Sequence, residues 1–163
     1  MKVKLDPKDY ESHEISWLCI KPMLIAVRGK DLQTKLEMYN QLNEGQQGLF
    51  LFYSFHNHTK TIAEFYWFSA YNINELKSWK GIRKGVLFFK DFKLADRLDE
   101  IEKFIASQSK LNRTISPTDL ENDRKLFDEV KILHEKYTKD AELTIQLMNE
   151  WVLANKSEFI DNG

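Results

Sequence analysis

The chain has 163 residues, 42% of them hydrophobic and 30% charged, with a formal net charge of −1. That length suits one domain with its own core, and the apolar content excludes a disordered chain. Near-neutrality excludes the broad cationic field of a non-specific nucleic-acid binder, and Cys19, the only cysteine, excludes an internal disulfide and a Cys-rich metal site.

Glycine and proline are scarce, with six and three copies, which favours helices over a turn-rich β sandwich. Residues 1–6 read as a flexible N-terminus, and a first helix is expected after Asp6-Pro7. Ile15, Leu18 and Cys19 share a face until Pro22 breaks or kinks the pattern, and Met23 to Val27 is an apolar run ended by Gly29. Leu32, Leu36, Tyr39 and Leu42 then form one stripe at helical period. Asn43 and Gln46 have the spacing of a capping box, so a helix should start there, with Gly45 and Gly48 marking close packing.

The segment 49–71 is dense in aromatic residues. Gly48 to Phe55 is apolar on every side, as a helix at the centre of a bundle would be, and Ile62, Phe65, Tyr66, Ser69 and Ile73 repeat every 3.6 residues. By propensity alone, Leu49 to Tyr53 and Phe65 to Phe68 also suit a β-hairpin.

Asn74 is the expected cap of a helix with Leu76, Trp79, Ile82, Val86 and Phe89 on one face. Leu94, Leu98, Ile101 and Ile105 define the next, with Asp99 and Lys103 spaced to pair. Residues 107–116 read as an internal loop. Ser116-Pro117 and Thr118-x-x-Glu121 signal a new helix, with a Glu121–Lys125 pair outside and Leu126, Val130, Leu133 and Tyr137 inside. The pattern changes phase between Tyr137 and Asp140, fitting either two helices or one kinked helix, before Ala141, Ile145, Met148 and Val152. The expectation is a single all-α domain, residues 1–163, a bundle of six to eight helices around an aromatic-rich centre.

No phosphate loop, nucleophile elbow, spaced zinc-ligand set or dinucleotide fingerprint occurs, and no cofactor is expected. Three weaker constellations remain. His56 and His58 lie on one side if the chain is extended there, and with Glu64 they form a candidate metal centre. On a helix the two rings point roughly 200° apart, so the alternative is a polar corner between helices. Inward Glu-x-x-His pairs, the mark of di-metal bundles, are absent.

Lys77, Lys80, Arg83 and Lys84 form a candidate nucleic-acid-binding stripe beside Trp79, weighed against an ordinary solvated face that Asp96, Asp99, Glu100 and Glu102 neutralise. Tyr53, Tyr66, Trp67 and Tyr71 form a candidate face for a protein partner or self-association, weighed against simple core filling. Cys19 reads as a buried, inert thiol.

Tyr39, Leu42, Gly45, Gln46, Leu49, Phe52 and a following histidine, His56 or His58, resemble a motif of small uncharacterised bacterial helical proteins. The resemblance implies an all-helical protein of the bacterial cytosol and transfers no activity. With no signal-like apolar run and a single cysteine, a cytoplasmic location and no membrane association are expected. The leading functional expectation is a non-catalytic protein-interaction module, with a metal-dependent enzyme second and nucleic-acid binding third.

Overall fold

The computed structural model describes residues 1–110 and 115–161. The domain is all-α. Its helices are α1 (Ile15–Ala26), α2 (Leu32–Asn40), α3 (Glu44–His56), α4 (Ile62–Ala70), α5 (Trp79–Phe88), α6 (Phe92–Lys110), the short α7 (Asp119–Asn122), α8 (Arg124–Ala154) and the short α9 (Lys156–Phe159). Among the described residues there is no strand, so 49–71 is not a hairpin. Local capping decides this: the Asn43 side chain accepts from Gln46 N at 2.8 Å while Gln46 Oε1 accepts from Asn43 N at 3.2 Å, and Thr61 Oγ1 accepts from Glu64 N at 3.1 Å.

Helix α3 is the hub. It buries Leu49, Phe50, Phe52, Tyr53 and Phe55, as a helix apolar all round must, and it packs most extensively on α5 and next on α1. The α3–α5 crossing is made close by glycine. An added Cβ on Gly85 would lie 2.7 Å from the Cα of Gly48, and one on Gly45 would lie 2.8 Å from the Phe159 ring.

Helix α8, at 31 residues, spans about 46 Å at 1.5 Å per residue and closes the bundle against α1, α4 and α6. It is continuous through Tyr137 to Asp140. The change of phase there arises because two polar residues, Asp140 and Thr144, occupy buried positions of the same stripe.

The elements depart from the sequence pattern in several places. Pro7–Glu11 is a 3₁₀ turn rather than the first α-helix, and Pro22 sits within α1 on its exposed side, where the missing hydrogen bond interrupts no core contact. Residues 1–6 are not a free tail. Val3 is buried in a parallel bridge with Ile160, its N donating to Phe159 O at 3.0 Å and its O accepting from Asp161 N at 2.9 Å.

Asn74 caps nothing. Helix α4 runs on into a π turn, Tyr71–Glu75, and Ser78 occupies the start of α5, its hydroxyl donating to Asn72 Oδ1 at 2.7 Å. Ser107 to Lys110, expected in a loop, extend α6, and Ser107 and Ser109 turn their hydroxyls back onto the carbonyls of Phe104 and Ile105, as serines within a helix do. The rest of that expected loop, 111–114, lies outside the described residues. Thr118 makes no side-chain cap; Asp123 caps α8 instead, accepting from Leu126 N at 3.0 Å. Lys125 stands 4.0 Å from Glu129 rather than pairing with Glu121, and Asp99 is taken by Arg83.

Candidate interaction surface

The residues of the three constellations proposed from sequence are placed as follows. His56, at the end of α3, places Nδ1 3.1 Å from the Tyr137 hydroxyl and stacks on Phe52. Burial pushes its pKa down to about 4. His58, in the following turn, is exposed and stacks at 4.1 Å on Phe68; burial of part of its ring lowers its pKa, opposed by nearby Glu64. The two rings are thus directed to different partners on α8 and α4. Among the described residues no group of three or more His, Cys, Asp or Glu side chains is arranged to hold a metal. The arrangement is a polar corner: His134 Nε2 donates to Thr59 O at 2.6 Å, and Thr59 Oγ1 donates to His56 O at 2.8 Å.

The basic stripe is divided. Lys77 lies off the helix, in the left-handed region at φ +55°, while Arg83 grips Asp99 through two bonds of 2.7 and 2.9 Å and Lys84 approaches Glu44 at 3.9 Å. Lys80 is exposed. Two of the four cations are therefore engaged with carboxylates of the same chain.

The aromatic face is divided as well. Tyr53 and Tyr66 are 4% and 1% exposed, so neither can anchor a partner. The Tyr53 O–H donates to Ser16 Oγ at 2.8 Å, and Ser16 passes its own proton to Asn149 Oδ1 at 2.6 Å; burial raises the Tyr53 pKa to about 12. Trp67, on α4, and Tyr71, at the start of the π turn, are half-buried and stacked 5.0 Å apart at 8°, with Phe68 set edge-on to both.

A charged cluster that the sequence pattern conceals lies where α6 meets α8. Asp140, buried on α8, accepts from Lys93 Nζ and Arg97 Nε, each at 2.9 Å. Burial raises its pKa, but those hydrogen bonds outweigh the effect and leave the carboxyl below its ordinary range. Arg97 also binds Glu100, which takes Lys136 at 3.3 Å. One turn further, Thr144 Oγ1 donates to Asp91 Oδ2 at 2.6 Å, and the other oxygen of Asp91 caps α6 by accepting from Leu94 N at 3.0 Å. The cluster fastens the α5–α6 corner to α8, with Asp140 and Glu100 taken up by bases of the same chain and Asp91 by a hydroxyl and a backbone N–H.

The surface left unfastened is the α1–α2 corner. Eight large apolar side chains are exposed among the described residues, and four of them, Met1, Ile25, Leu32 and Leu36, lie within the first 36 residues. Helix α2 begins with a sound cap, Asp31 Oδ1 accepting from Thr34 N at 2.8 Å, yet buries no residue of its own. Its stripe meets α3 only at one end. Tyr39 sets its ring edge-on to Phe50 and Leu42 is buried just beyond the helix, whereas Leu32 and Leu36 are 55% and 45% exposed.

Beside α2, a cleft of about 280 Å³ opens between residues 1–4, α1 and Met38, lined by Met1, Val3, Met23 and Ala26 together with Lys2 and Lys4. A larger groove of about 510 Å³ runs between α6 and α8 over Phe104, Leu126 and Ile132. No helix among the described residues is long and apolar enough to cross a membrane. The chain matches no protein-family model, no curated protein and no solved structure.

Proposed function

We propose that this protein is a non-catalytic protein-interaction module of the bacterial cytosol, and that it engages its partner through the α1–α2 corner. The observation that carries the reading is the overhang of α2: an apolar stripe packed at Tyr39 and Leu42 and left open at Leu32 and Leu36. Open apolar faces of this kind characterise contact sites, because each leucine or isoleucine withdrawn from water contributes about 1.5–3 kcal/mol before association costs. Ile25, 57% exposed one turn along α1 from Pro22, extends the same corner. The Trp67–Tyr71 stack at the end of α4 supports a second, smaller contact, since rigid aromatic pairs are efficient anchors.

The test compares three proteins expressed in their native host and recovered with quantitative identification of what accompanies them. The first is the unaltered chain, the second carries Leu32→Ser with Leu36→Ser, and the third carries Leu143→Ser, which alters an exposed leucine on α8. The expected result is a companion retained by the first and third and lost from the second. An identical set of companions on all three would refute the assignment to α2.

A further inference from the structure

We infer that the cleft beside α2 takes a bulky apolar side chain presented by an acidic amphipathic segment of a partner protein; the inference rests on the interaction reading and specifies its chemistry. Three of the four methionines, Met1, Met23 and Met38, line this one cleft with Val3, Ala26 and Pro22. Unbranched, polarisable thioethers adapt to differently shaped apolar side chains, which is why methionine is concentrated on surfaces that accept helical peptides.

The charges decide what flanks that side chain. Lys2 and Lys4 belong to the lining, no carboxylate does, and among the described residues neither lysine has an ion-pair partner. Lys21, beside Pro22 on α1, is also exposed and forms no ion pair among the described residues, whereas Lys35 on α2 lies close enough to Asp31 to help lower its pKa. The larger α6–α8 groove differs on this point. Its Lys125 and Lys136 are met by Glu129 and Glu100 of the same chain, so both of its lysines are already engaged by carboxylates. Unpaired cations around an apolar hollow attract carboxylates and repel bases, which sets the identity of the partner as well as its rate of arrival. The hollow takes its lining from the N-terminal segment, α1 and Met38 of α2, so one inserted side chain can touch all three.

The test uses the full chain with ¹³C in the methionine methyl groups, which yields four signals, one of them from Met148, buried in α8 and serving as an internal control. Two synthetic amphipathic helices of roughly four turns are titrated in, identical in their leucine face and flanked by Glu in one and Lys in the other. The expected result is that the Glu peptide moves the Met1, Met23 and Met38 signals, leaves Met148 in place, and binds at least tenfold more tightly than the Lys peptide. Lys2→Glu with Lys4→Glu, both exposed positions, reverses that preference.

Equal binding of the two peptides at those three methyls would overturn the acidic-partner inference while leaving the interaction reading intact. Movement of none of the three by either peptide would overturn the inference, and the Leu32/Leu36 comparison then judges the broader reading separately. Movement by phosphatidylserine vesicles with no response to the Glu peptide would overturn it in favour of a lipid surface.

Discussion

Replacing Gly85 by alanine tests the packing argument at its tightest point. The new Cβ would lie 2.7 Å from the Cα of Gly48 and 3.3 Å from its carbonyl oxygen, where carbon atoms ordinarily stand about 3.5–4.0 Å apart. Both obstructing atoms are backbone, so no side-chain rotation relieves the clash and α3 and α5 must separate by roughly 1 Å. A gap of that size forfeits about a quarter to a half of each dispersion contact along the most extensive helix pair in the fold. Overpacking of this kind costs about 1–3 kcal/mol, against which alanine recovers about 0.8–1.0 kcal/mol of helix propensity.

Because the clash is backbone on backbone, the cost falls in the upper part of that range, about 2–3 kcal/mol, so the expected outcome is a net loss of about 1–2 kcal/mol, read as a fall of roughly 3–6 °C in the thermal midpoint for a chain of this size. Gly81→Ala is the matched control, one turn earlier on the same helix. Its Cβ would meet only Leu51 Cδ1, at 2.8 Å, the tip of a half-buried side chain that can rotate away. That variant should be unchanged or up to about 1 kcal/mol more stable. Circular dichroism at 222 nm through urea and thermal melts measures both. If Gly85→Ala proved as stable as Gly81→Ala, glycine would not be setting the distance between these helices.

Asp140→Ala removes a buried carboxylate from Lys93 and Arg97; because both cations retain some access to water, the expected loss is about 2 kcal/mol, below the 3–5 kcal/mol of a fully buried pair. Urea melts measure it, and a loss under about 0.5 kcal/mol would contradict the fastening role of the cluster. His56, held neutral with its pKa down from 6.5 to about 4, binds fewer protons folded than unfolded between those values. Its stabilisation is therefore complete above pH 6.5 and is lost as pH falls to about 4, a span worth about 3 kcal/mol at 1.36 kcal/mol per pH unit. The difference in unfolding free energy between the parent and His56→Gln should shrink by about that amount across this window, and a difference independent of pH would refute the assignment. Cys19, fully buried with its thiol pushed up to about 12 by burial, should not react with a disulfide reagent at pH 8 in the native state and should react fully in guanidinium. Labelling of the native protein within minutes would show that α1 opens locally.

What was legible in the sequence was local. The Asn43–Gln46 box is visible as letters three apart and forms as written, and the all-round apolar character of 48–55 correctly marks the helix at the centre. What was not legible depended on distant neighbours. Asp140 and Thr144 look like an interruption of a stripe because their partners, Lys93, Arg97 and Asp91, are 43 to 53 positions away in sequence. Tyr53 looks like a surface ring with a polar tip until Ser16 supplies the partner that lets it be buried. Asn74 has the right chemistry for a cap, but Asn72 and Ser78 bond to each other and carry the chain past it in a π turn.

The stripe of α2 shows the same limit from the opposite side, and it separates stability from function in this chain. Leu32, Leu36, Tyr39 and Leu42 form a regular helical pattern, yet pattern reports only that a face is apolar and not that something covers it. Coverage is set by how far α3 reaches, and α3 reaches only Tyr39. The close glycine crossing of α3 and α5 and the ion cluster between α6 and α8 hold the bundle while Leu32 and Leu36 stay about half exposed. A half-exposed apolar pair contributes less to folding than a buried one, and a helix that keeps it exposed also keeps a tendency to aggregate. The partner proposed above would account for both features at once, covering the open leucines and meeting Lys2 and Lys4 at the neighbouring cleft.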